Sequence, residues 1–259
     1  MHTAAEPSGP RESVMVKTSE QNSSAAAGAR RKVGRLSLAV VAGFVVAAPV
    51  ISAPAASADP CPDVQVVFAR GTFEPAGVGA IGQSFVDSLR AQLPDRSVDV
   101  YPVNYPASLD FARAADGVLD ASNKVQDVVA KCPKTKMVLG GYSQGAAVMA
   151  YTTTDTVPAD YELPAGITGP MPESTAGHVA AVTLFGKPST GFLQMLDQTA
   201  PPITIGAEYG PKALDLCVDN DPVCSGHGGD PSVHGSYAVN GMTDQAAQFA
   251  AQHVTTDRT

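Results

Sequence analysis

Short apolar runs alternate along this chain with longer stretches in which apolar residues recur every three or four positions. Val64 to Ala69 and Val98 to Tyr101 read as strands, and so does Met137 to Leu139, which is too apolar and too short for anything but a buried strand. Val179 to Phe185 predicts a fourth strand and Ala213 to Cys217 a fifth. Between them, Gly77 to Gln92 has helical periodicity, and Ser108 to Lys131 reads as a long helix with Phe111, Ala115, Val118, Leu119, Val125 and Val129 on its apolar side. Ala146 to Ala150 is a run of helix formers, and Met242 to Val254 predicts a final helix. Thr152 to Gly177, rich in Pro, Gly and Thr, reads as a long surface excursion, and no internal repeat is present. Near-continuous apolar strands alternating with helices predict an α/β fold, a mostly parallel sheet covered on both faces as a three-layer sandwich. In such sheets the working groups gather at the carboxyl ends of the strands.

The N-terminus departs from this pattern. Arg30, Arg31, Lys32 and Arg35 precede the apolar stretch Leu36 to Val50, and Ala56-Ser57-Ala58 follows as a small-x-small cleavage site. Residues 1–58 therefore read as a secretory presequence and 59–259 as one catalytic domain. Fifteen apolar residues interrupted by Gly43 and Pro49 fall short of the roughly twenty needed to span a bilayer, so no stable membrane insertion is expected after cleavage. The presequence holds six of the 17 Lys/Arg and three of the 25 Asp/Glu, which leaves 11 basic against 22 acidic residues and a net charge of −11 in the remainder. Such a surface repels polyphosphates, so nucleic acid is not an expected partner. A monomer, secreted or held at the cell wall, is expected.

All four cysteines follow the presequence, and an even count in an exported chain argues for two disulfides. Spacing favours Cys217–Cys224, which leaves Cys61–Cys132. No C-x-x-C or paired histidines suggest zinc, and Asp219-Asn220-Asp221-Pro222 lacks the glycine and terminal glutamate of an EF-hand loop. No metal is expected.

The chemistry concentrates in Gly141-Tyr142-Ser143-Gln144-Gly145, between an apolar strand and a helix. This is the pattern of a nucleophile elbow, a sharp turn that pushes a serine hydroxyl clear of the backbone. The helix that follows aims N–H groups at a developing oxyanion. Alone, the five-residue pattern is a common coincidence in a chain with 24 glycines; its strand and helix context makes it informative. A serine nucleophile needs a base, and the base needs an orienting carboxylate. Asp219 and Asp221 are the candidate carboxylates, with His227 and His234 the candidate bases, all after the serine in the chain.

G-Y-S-Q-G at Gly141 to Gly145, C-x-x-x-D-x-x-C at Cys217 to Cys224, H-x-x-Y at His234 to Tyr237 and A-R-G-T-x-E at Ala69 to Glu74 together resemble the cutinase family, in its bacterial branch. The resemblance runs from about Cys61 to Val254. It implies a five-stranded parallel sheet, no cofactor, and a serine esterase acting on small-molecule or lipid esters. It also implies Ser143 as nucleophile, Asp221 as orienting carboxylate, His234 as base, and an oxyanion hole from the Gln144 N–H and Thr72. Esterases acting on acetylated polysaccharide share these motifs and form the alternative, as does a catalytically silent binding protein. Thr72 stands where fungal members usually carry Ser, and Ser225 to Ser232 (SGHGGDPS) replaces their apolar wall. That polar loop predicts little apolar surface beside the serine and a preference for short and medium acyl chains. Four prolines in 152–177 exclude a continuous lid helix, so an open cleft is expected.

Overall fold

The computed structural model describes residues 61–226 and 229–256. The expected presequence lies outside them, as does His227. Five strands, β1 (Val64–Ala69), β2 (Val98–Pro102), β3 (Lys136–Tyr142), β4 (Val179–Phe185) and β5 (Ala213–Leu216), form one sheet in the order β2-β1-β3-β4-β5. Every pairing is parallel, with a register shift at Met137/Val138 between β3 and β4. The central strands β1 and β4 are buried along their whole length, which is why their sequences run apolar rather than alternating.

The two faces of the sheet carry separate apolar layers. Val64, Val66 and Phe68 of β1 face α1 (Gly79–Gln92) and α5 (Met242–Thr256), meeting Ile81, Phe85 and Leu89 on the first and Ala246, Ala250 and Val254 on the second. Phe68, Phe85 and Phe185 pack ring against ring in this layer, with centroids 5.8 to 6.3 Å apart. Val67 and Ala69 face the opposite layer, built on α2 (Ala114–Lys131) and α3 (Gln144–Thr152). Each such buried Phe or Leu stabilises the fold by about 1.5–3 kcal/mol.

Three elements differ from the sequence reading. The predicted long helix over Ser108 to Lys131 starts as a 3₁₀ turn at Phe111–Arg113, and α2 follows. Its fully buried residues are Gly117, Ala121, Val125 and Val128, so Val125 of the predicted row is in the core, while Val118 and Val129 pack partly buried against it. The small residues lie where α2 packs on α3: a Cβ on Gly117 would come within 3.1 Å of Val148. Phe111, Ala115 and Val118 instead line a groove. A short helix α4 (Thr190–Leu196), capped by Ser189 Oγ on the Phe192 amide, has no counterpart in the expected elements. Finally, the Pro-rich excursion carries a 3₁₀ helix at Glu173–His178.

Both expected disulfides are formed, Cys61–Cys132 and Cys217–Cys224, with Cα separations of 5.5 and 5.8 Å. No described helix is long and apolar enough to cross a membrane.

Candidate active site

Ser143 sits between β3 and α3 with φ 54° and ψ −119°. That conformation is costly for any residue with a side chain, and bulk held this way marks functional turns. The turn is held by the Ser143 amide, which donates to the Phe185 carbonyl of β4 over 2.9 Å. Gly145 lets α3 start directly against the end of β1, since a Cβ there would lie 2.0 Å from the Ala69 carbonyl oxygen. The hydroxyl is thus fixed at the carboxyl edge of the sheet.

His234 approaches from a 3₁₀ helix, Pro231–Ala238, whose start is capped by Asp230 on the Ser232 amide and hydroxyl. Its Nε2 is 2.8 Å from Ser143 Oγ, and its Nδ1 is 2.8 Å from Asp221 Oδ2. Tyr142 supports the ring's backbone by donating its hydroxyl to the His234 carbonyl over 2.8 Å. Of the two candidate carboxylates, the structure brings Asp221 to the ring. Away from this site, His253 bonds to the Phe249 carbonyl within α5, and Asp215 pairs with Lys187.

Asp221 is fully buried in the loop closed by Cys217–Cys224. Burial is the largest single influence on its ionisation and would raise its pKa. Hydrogen bonds from Tyr237, His234 and the Val223 amide, with the His234 charge, outweigh it and hold the carboxyl below its ordinary value of 3.8. Asp221 is therefore an anion at neutral pH.

Thr72 and Gln144 border the same groove as Ser143 and His234. The Gln144 amide belongs to the first residue of α3, where an N–H has no partner inside the helix. Its side chain is buried and donates Nε2–H to the Ser108 carbonyl over 2.9 Å.

Sequence reasoning took Thr72 from its motif and left the motif's two charges without roles. Arg70 is buried and donates to the carbonyls of Glu74, Val103 and Tyr105 at 2.9, 3.4 and 2.6 Å. Glu74 accepts the Gly71 amide at 2.7 Å and the Ala80 amide at 2.8 Å, bridging the turn that holds Thr72 to the start of α1. The charge pattern of A-R-G-T-x-E was the signal: a buried arginine needs acceptors, and backbone carbonyls supply them.

The groove beside Ser143 has a volume of about 630 Å³. Its lining is mostly apolar, drawn from the 3₁₀ turn (Phe111), the start of α2 (Ala115, Val118), the excursion (Leu163, Ile167) and α4 (Phe192). The expectation of little apolar surface is corrected here. The Ser225–Ser232 loop is polar as read, but the wall is supplied by segments distant in sequence. Among the described residues no cluster of His, Cys, Asp and Glu could hold a metal.

This arrangement can pass a proton from a serine hydroxyl to imidazole while a carboxylate steadies the ring, beside a cleft shaped for an apolar chain. The family model described as Cutinase matches residues 60–254. Carboxylesterase Culp1 of Mycobacterium tuberculosis is 48% identical over 225 residues, covering 84% of this chain and 96% of that protein. Phospholipase Culp4 of the same organism is 42% identical over 229 residues, covering 88% and 94%. Among solved structures, Trichoderma reesei cutinase in complex with a C11Y4 phosphonate inhibitor matches with a TM-score of 0.56 at 32% identity, covering 76% of this chain and 78% of that one. The catalytic core of acetyl xylan esterase from Trichoderma reesei, at 21% identity and a TM-score of 0.58 over 75% of this chain and all of that one, shares the fold. The chain belongs to the cutinase family and is a carboxylic ester hydrolase.

Proposed function

We propose that the protein is an exported serine esterase that works through an acyl-enzyme on Ser143. The observation that carries this reading is the unbroken relay from Ser143 Oγ to His234 to Asp221, each step 2.8 Å. His234 Nε2 takes the hydroxyl proton as Ser143 attacks the ester carbonyl. Asp221 holds the imidazole in the tautomer with Nδ1 protonated. The Gln144 N–H and the Thr72 hydroxyl stabilise the oxyanion, the alcohol leaves with the proton from His234, and water repeats the sequence on the acyl-enzyme.

The substrates proposed are esters of short to medium acyl chains, with the acyl group in the apolar groove. Esters of lipids fall in the same class, and a relative named as a phospholipase favours including them. Acetylated polysaccharide is the second reading; an acetyl group has no use for a cleft of about 630 Å³, which favours the first. Residues 1–58 are proposed to be removed on export, leaving a monomer outside the cell, and the two disulfides fit an oxidising compartment.

The test is labelling by an alkyl organophosphonate together with turnover of a soluble p-nitrophenyl ester. Both should be lost in Ser143→Ala, with turnover falling by several powers of ten. A Ser143→Ala protein that still turns over ester or still takes the label removes Ser143 from the mechanism.

A further inference from the structure

The carboxylate of Asp221 has a third partner that the serine relay does not use. Tyr237 is fully buried, and its hydroxyl donates to Asp221 Oδ2 over 2.6 Å. This is the same oxygen that faces His234 Nδ1. Oδ1 takes the Val223 amide at 2.8 Å. The Tyr237 oxygen itself accepts the Val218 amide at 3.2 Å, which leaves its proton for the carboxylate; Cys224 Sγ, 3.3 Å away, is a much weaker acceptor. Burial, and then the bond to Asp221, push the phenol far above its ordinary pKa, so it remains a donor throughout the working range.

The surroundings maintain this contact. Gly186, with φ 59°, follows β4 directly, and a Cβ there would come within 3.0 Å of His234 Cε1 and of the Tyr237 hydroxyl. The His234 and Tyr237 rings meet at 89° with centroids 6.3 Å apart, and Tyr142 packs against both.

We propose that Tyr237 is a positioning residue that sets how tightly Asp221 holds the protonated imidazole of His234. Its O–H occupies one lone pair of the shared oxygen and draws negative charge from the side facing Nδ1. The imidazolium is then held firmly enough to form and loosely enough to return its proton to the leaving alkoxide. Together with the Val223 amide on the other oxygen, the same bond fixes the rotation of the carboxylate. A tyrosine that merely filled the core would need its ring here and not its hydroxyl. The proposal rests on the roles given above to Ser143, His234 and Asp221.

The other ionisable group packed on this cluster is Tyr142 from β3, whose phenol feels the charges of both Asp221 and Glu74. The Asp221 carboxylate accepts from Tyr237, His234 and the Val223 amide.

The decisive experiment is the pH profile of kcat/KM on p-nitrophenyl butyrate for wild type and Tyr237→Phe, beside their melting curves. Removing the donor concentrates charge on Oδ2, so the acid limb should move up by roughly 0.5–1 pH unit, with the plateau about three- to tenfold lower. Replacing Tyr237 by 3-fluorotyrosine, a stronger donor with nearly the same shape, should move the limb down, and this variant decides alone if Tyr237→Phe does not fold. A limb that stays in place, or that moves the same way in both variants, overturns the proposal. Phosphonate labelling separates the two levels. If wild type does not take the label at Ser143, the function proposed above fails; if it does while the limb stays put, only the role of Tyr237 fails.

Discussion

The Phe73 amide donates to the Ala107 carbonyl over 2.7 Å, and both residues hold positive φ, 64° and 50°. Two non-glycine residues in this conformation cost about 1–2 kcal/mol each, and Phe73 recovers little through its side chain, which is 72% exposed. What over-determines the pair is the buried Arg70 below it, with its guanidinium on three carbonyls and 5.1 Å from the Tyr105 ring centroid. The strained segment at Phe73 is the one that presents Thr72 to the groove.

Arg70→Lys keeps the charge but cannot reach three diverging carbonyls with a planar fork. We expect a stability loss of about 1–3 kcal/mol, from carbonyls left unsatisfied, and a fall in kcat larger than any change in KM. Thermal melting and steady-state kinetics on a soluble ester check this. Unchanged kcat in a destabilised variant would show that Arg70 supports the fold alone.

The smaller disulfide spans seven positions and the larger 71. On the loop-entropy model these contribute about 2.5 and 4.4 kcal/mol respectively. The smaller one should matter more to chemistry, because Asp221 lies inside its loop and Cys224 Sγ touches the hydroxyl that bonds Asp221. Cys217→Ala/Cys224→Ala should lose more turnover than its fraction unfolded accounts for, whereas Cys61→Ala/Cys132→Ala should lose mainly stability. Full activity in a folded Cys217/Cys224 double variant would contradict this.

The strands were legible because burial on both faces leaves an unmistakable apolar run: Val64 to Ala69 and Val179 to Phe185 agree with the structure residue for residue. The elbow was legible for a related reason, since Gly145 must lack a side chain where α3 meets β1. The face of α2 was legible at Val125 but not at Gly117 and Ala121, because helix packing there selects small residues that carry no hydrophobic signal. The groove was missed because its wall is assembled from α2, the excursion and α4, which only tertiary structure brings together. Tyr237 stood inside a recognised motif, but its partner Asp221 is 16 residues away, and no local pattern announces such a pairing.

Asp221 should leave a mark on acid stability. Its folded pKa is held below 3.8, since the bonds from Tyr237, His234 and Val223 together outweigh burial. A depressed folded pKa contributes stability that is fully present above the unfolded value and is lost as pH falls through the folded one. Asp221→Asn should therefore be less stable than wild type at neutral pH, with the difference shrinking below about pH 3.8. Urea midpoints from pH 7 to pH 2.5 measure this, and a gap that does not change with pH would remove the charge of Asp221 from the account.

The last expectation concerns the groove. Phe111 on the 3₁₀ turn and Ala115 and Val118 on α2 line it from one side, and the excursion and α4 close the others. Val118 lies seven positions after Phe111, so this wall alone runs for roughly 10–14 Å at a helical rise of about 1.5–2 Å per residue. An acyl chain lying along it gains about 0.8 kcal/mol per buried methylene, and the gain should end where the chain outruns the wall. Val118→Trp fills the groove partway along. If about three methylenes lose their burial, the penalty is near 2.4 kcal/mol, so the ratio of kcat/KM for octanoate over that for acetate should fall by one to two orders of magnitude. The segment between α3 and β4 contains no α-helix to act as a lid, so the rate on tributyrin should rise smoothly through its solubility limit in both proteins. An unchanged octanoate-to-acetate ratio would place the acyl chain elsewhere, and a sharp jump at the onset of an emulsion would show that part of 152–177 moves to uncover Ser143.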